Sequence, residues 1–134
     1  MSRIPEKVVA EVVKEASIKM KDPRYAQTLV GTWVQGQPDA VRYLSAHAKE
    51  LGGAEGVVNA VFHCALMSTC FLRHAGRSVR AMTFGELDAV SALDRSPELE
   101  RRQPALHDYL VANVEHADMQ RVLMLLALGM DYVF

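Results

Sequence analysis

The chain has 134 residues, half of them hydrophobic, with 15 Lys and Arg against 16 Asp and Glu and a net charge of -1. That length suits one domain able to bury its own core without disulfide or metal, so residues 1–134 are read as a single unit. The balanced charge excludes a global field that would gather nucleic acid or an anionic membrane surface.

The start, "MSRIPEKVVAEVVKE", turns charged within six residues and shows neither the apolar core nor the cleavage site of a secretory signal. Val8, Val9, Val12, Val13, Ala16 and Met20 then form a helical stripe after Pro5, with charged residues around it. In "DPRYAQTLVGTWVQG", Asp22 stands at an N-cap, Pro23 at the first helical position and Gly36 past the end, while Tyr25, Leu29, Val30 and Trp33 share one face. Pro38 opens a third helical segment carrying Val41, Leu44, Ala48 and Leu51, closed by Gly52 and Gly53. A long helix over 54–75 comes next, ended by Gly76.

Thr83 with Glu86 three later makes a capping box, and Met82 with Leu87 suits the hydrophobic staple, so another helix starts there. Ser96 reads as an N-cap before Pro97, but Pro104 must interrupt any helix begun there, giving a short turn and then a helix over about 104–113. The last helix, from about 117, places Met119, Val122, Leu123, Leu126, Met130 and Val133 on one face, with Leu125 and Leu128 beyond it. No segment alternates apolar and polar residues in the manner of a strand. The expectation is an all-α bundle of six or seven helices with no sheet.

Within "VFHCALMSTCFLRHAGR", His63, Met67, Cys70 and His74 are spaced four, three and four apart. On a straight helix all four share a sector of about 60°. His63 and His74 would still lie about 16 Å apart, too far for one ion to use all four. Each one-turn pair, His63 with Met67 and Cys70 with His74, could supply two ligands. Zinc would then need two more ligands from another element or a second copy, and Met67 beside His63 would suit copper or a haem axial position better. The plain alternative is a half-buried or partner-facing stripe of ordinary core residues. Cys64 and Cys70 lie about 120° apart on this helix and do not bridge, which fits a reducing, cytoplasmic setting.

Arg73, Arg77 and Arg80 cluster at the end of the long helix, where they complement the helix dipole or meet an acidic partner. The segment 83–113 could imitate a helix-turn-helix with Arg101 and Arg102 on the reading helix. Pro104 truncates that helix, and three Arg face six acidic residues there, which argues against DNA. The longest apolar run, "VLMLLALGM" at 122–130, is nine residues against the roughly 20 a membrane span needs. No P-loop, dinucleotide fingerprint, nucleophile elbow or His-Glu-x-x-His is present, and a mid-helix thiol among apolar neighbours tends to be inert.

The sequence therefore points to a non-catalytic adaptor, regulatory or assembly module acting through protein contacts, with a protein partner or a second copy of itself. The surplus apolar residues Leu125 and Leu128 and the cations Arg73, Arg77 and Arg80 form its expected contact. A metal or haem protein using His63, Met67, Cys70 and His74 is the alternative, and a helical enzyme with a pocket between helices is the third reading.

Overall fold

The computed structural model describes residues 3–134, and these form nine helices with no strand among them. In chain order they are α1 (Glu6–Lys19), α2 (Pro23–Gly36), α3 (Pro38–Ala46), α4 (Ala48–Leu51), α5 (Ala54–Ala75), α6 (Phe84–Ser91), α7 (Arg95–Arg102), α8 (Pro104–Asn113) and α9 (Ala117–Val133). The all-α class expected from the periodicity is the class found. The count exceeds six or seven for two physical reasons.

First, the segment opened by Pro38 is broken at His47, whose N–H turns back to the carbonyls of Tyr43 and Leu44 and whose ring stacks on Tyr43 at 4.2 Å. Second, the residues around Pro97 make a two-turn helix rather than a turn. It starts at Arg95 after Asp94, so Pro97 sits in the first turn, where a missing N–H costs no intrahelical bond. The expected cap at Ser96 is thus displaced two residues toward the N-terminus.

Gly36, expected just past the end of α2, is instead its last residue, with Gln37 as the C-cap, while the other caps act as read. Asp22 accepts from the Arg24 N–H, Thr83 and Glu86 form the reciprocal capping box, and Gly76 takes a left-handed φ of 74° to close α5. The Gly52–Gly53 pair, with φ of 91° and 90°, reverses the chain between α4 and α5 through a backbone shape that side-chain-bearing residues avoid.

Two Gln-Pro junctions fasten the bundle. Gln37 and Gln103, each with a non-helical backbone before a proline, join α2 to α3 and α7 to α8 without an intervening loop. Both side chains are buried. The Gln37 amide donates to the carbonyls of Val79 and Arg80 and accepts from the Met82 N–H, which pins the strap between α5 and α6. Gln103 accepts from the Ile4 N–H and donates to Asp131 at 2.8 Å, tying the N-terminal segment and α9 together. A buried amide whose partners are all present holds a segment firmly, because any displacement leaves desolvated polar groups unpaired.

The core is organised around α5 and α9. By length and composition α5 could cross a bilayer, but here it is packed by α1, α2, α3, α4 and α9. In α9 every residue from Val122 to Met130 is buried, covered by α4 to α8. A helix buried over most of its circumference is the expected centre of a small helical domain.

Candidate functional site

The His63, Met67, Cys70 and His74 face points largely inward. Met67 and Cys70 are 0% and 2% exposed, wedged with Leu66 against Val9 and Val13 of α1 and Leu106 and Tyr109 of α8. His63 Nδ1 shares a 2.7 Å hydrogen bond with the Tyr109 hydroxyl, which occupies one of the two ring nitrogens that could bind a metal. Burial lowers the pKa of His63 and raises that of Tyr109, so both stay neutral. His74 lies at the partly exposed end of the same face. Desolvation pushes the Cys70 thiol up to about 12 and the Cys64 thiol higher still, keeping both protonated. Among the described residues no group of three or more His, Cys, Asp or Glu is arranged to hold a metal.

The expected partner contact is taken up inside the chain. Leu125 and Leu128 are 0% and 1% exposed, so the second apolar face of the last helix is covered by the chain's own helices. The three arginines are also engaged. Arg73 donates to Glu15 at 2.7 Å, Arg77 reaches the Phe134 carbonyl while lying over its ring, and Arg80 pairs with Glu86 of the capping box. These contacts fold the long helix's cationic end onto α1, α6 and the C-terminus.

One hydrogen-bonded chain has the residue types of a catalytic relay: Ser96 Oγ lies 3.2 Å from His107 Nε2, and His107 Nδ1 lies 3.1 Å from Asp108. The Asp108 side chain is 74% exposed, and the same nitrogen also faces Glu100 at 3.7 Å. An orienting carboxylate works from a dry, fixed position, whereas this one is solvated and has a competitor. The contact ties the start of α7 to α8 and carries no further weight.

The site that sequence reasoning missed is a cleft of about 400 Å³ between α2 and α5. Tyr25, Leu29 and Trp33 of α2, Ala65 and Leu72 of α5 and Val79 of the strap supply its apolar walls. Thr28, Thr32, Ser68, Thr69 and Ser78 supply hydroxyls, and no described residue lining it carries a charge. Leu72 remains 44% exposed in it, although leucine is a residue that folding normally hides. Trp33 is buried, and its Nε1 finds no hydrogen-bond partner among the described residues. From Tyr25 to Gly36 the α2 wall runs twelve residues, roughly 16 Å at the rise of an α-helix, so the cleft is a slot rather than a bowl.

The slot has a local cause. The α2 face carries large side chains, and the α5 surface opposite carries Ala65, Ser68 and Thr69, which are too small to fill the space between two helix axes held apart by tryptophan and tyrosine. The only sequence signal was that helix's Tyr25, Leu29, Val30 and Trp33 stripe, which reads equally well as core. No family model, curated protein or solved structure matches this chain.

Proposed function

We propose that the chain is a non-catalytic helical binding module whose contact site is the slot between α2 and α5. The observation that carries this reading is the uncharged, elongated cleft of about 400 Å³ with Leu72 left 44% exposed in its wall. Its volume lies in the range of small-molecule sites, and apolar walls with a few hydroxyls are the usual lining of such sites. An occupant would be apolar, since a charge entering the slot would lose water and meet no counter-charge.

The non-catalytic part rests on the chemistry of the nucleophiles. Cys64, Cys70 and Tyr109 are buried and held protonated by desolvation. The Ser96–His107–Asp108 chain depends on a solvated carboxylate. Self-association through Leu125 and Leu128 loses its basis, because both are interior.

The experiment uses Trp33, the single tryptophan of the chain and a wall of the slot. Titration with N-phenyl-1-naphthylamine, a neutral apolar fluorophore, should give saturable one-to-one binding that quenches Trp33 emission. Ser68→Phe, which places a ring in the slot, should abolish it with the helical spectrum intact. Binding that is absent, does not saturate, or is indifferent to Ser68→Phe would remove the reading.

A further inference from the structure

We infer that the slot between α2 and α5 takes a single-chain amphiphile with an anionic head, its chain lying along α2 and its head beside Lys19 and Arg73. This rests on the reading of the slot as a binding site and adds the class of its occupant. The shape supplies the chain: a cleft that follows α2 for roughly 16 Å and is lined without charge accommodates an extended hydrocarbon better than a compact ring system.

Charge supplies the head. At the Tyr25 end the lining changes character, because Lys19 Nζ lies 5.7 Å from the centre of the Tyr25 ring and Arg73 directly follows Leu72. Lys19 and Arg73 share one carboxylate: Glu15 accepts from Lys19 at 3.0 Å and from Arg73 at 2.7 Å. The recess they form also holds Lys14 and Glu11, giving three cations against two carboxylates around the exposed Ile18. That recess therefore carries one surplus positive charge, and Lys19 and Arg73 bring it up to the Tyr25 end of the slot. An anion bound there would add to a network that two cations and one carboxylate leave incomplete, while its chain removes Leu72 and Leu29 from water.

Isothermal titration calorimetry of the whole chain with decanoate, decanol and decylamine tests this, with Trp33 emission as a second readout. Decanoate is expected to bind best and decylamine worst. Lys19→Gln and Arg73→Gln should each weaken decanoate by roughly two- to fivefold, the ordinary worth of an exposed charge pair, and leave decanol unchanged. Ser68→Phe should abolish all binding. Equal affinity for the three heads, or decanoate binding indifferent to both charge changes, would overturn the head-group inference while decanol binding kept the slot reading intact. Failure of every probe would overturn both. Sedimentation with phosphatidylglycerol vesicles separates a free amphiphile from a lipid surface: co-sedimentation by a chain that does not bind decanoate would also overturn the inference.

Discussion

Leu128 separates an interior helix from an interfacial one. Its side chain is 1% exposed, on a helix whose residues from Val122 to Met130 are all buried. Truncating a leucine so placed costs about 3 kcal/mol, the transfer of the lost carbons plus the cavity they leave. A domain of this size has about 5–15 kcal/mol in total, so Leu128→Ala should remain folded but be plainly weakened. With a urea slope of roughly 2 kcal/mol/M, the midpoint should fall by about 1.5 M with the slope unchanged. Ile18→Ala is the matched control: Ile18 is 65% exposed, and its truncation should move stability by less than about 0.5 kcal/mol. Molar mass by light scattering should be the same for wild type and both variants. A wild-type dimer that Leu128→Ala converts to monomer at unchanged urea midpoint would refute the reasoning, because the side chain would then be buried by a partner and not by the fold.

Thr83→Ala should cost about 1 kcal/mol by removing the acceptor of the Glu86 N–H, measured by the same denaturation; an unmoved midpoint would count against the capping box as a stabilising contact. Gly56→Ala should be far worse than an ordinary glycine replacement in a helix, because a Cβ there would overlap the Leu51 backbone carbonyl, and thermal melting should show it. Hydrogen bonds from Arg73 and then Lys19 hold the Glu15 carboxyl down to about 2, against 4.5 for an unperturbed group. Its folded-state pKa is depressed, so its contribution is full above about pH 4.5 and is lost as pH falls toward 2. Glu15→Gln should flatten stability against pH across that window, and an unchanged acid profile would show that the shared ion pair contributes nothing.

Much of the fold was legible because helix starts and stops are written locally. Asp22–Pro23, Thr83 with Glu86, and Gly76 each satisfy backbone groups within a few residues of themselves, so a linear reading can find them. The break at His47 was not legible, since the ring that supports it stacks on Tyr43 in a segment whose apolar spacing continues smoothly through the turn. Helical angles correctly grouped His63, Met67 and Cys70 on one face. They carried no information about what would cover that face, which is α1 and α8, from distant parts of the chain. The same gap misplaced Leu125 and Leu128. A second apolar stripe implies a second contact, but only the packed bundle shows that the chain itself provides it. The intrachain partners of the arginines were equally illegible: Arg73 meets Glu15 across 58 residues, and Arg77 meets the Phe134 carbonyl across 57.

The slot has a reading that competes with function, namely imperfect packing; filling it should stabilise the chain on either reading, whereas saturable binding that the filling side chain removes is expected only of a site. Unfilled space beside α5 deprives Leu72 and Trp33 of neighbours, and filling such space commonly stabilises a protein by about 0.5–2 kcal/mol. Gln37 acts in the opposite sense: by holding the Val79 and Arg80 carbonyls it fixes the strap at the far end of the slot, so the walls cannot simply collapse together. A gap kept open by a buried amide with paired polar atoms is a supported shape, not slack. Ser68→Phe should accordingly raise the melting temperature, because the ring gains contacts in a space already framed by fixed walls, and should also eliminate binding of the neutral fluorophore. Stability gained with binding lost is the signature of a site maintained against packing. If the variant is destabilised by more than about 1 kcal/mol, the loss expected from overpacking, the space is not available to a side chain and the slot does not exist at the size required.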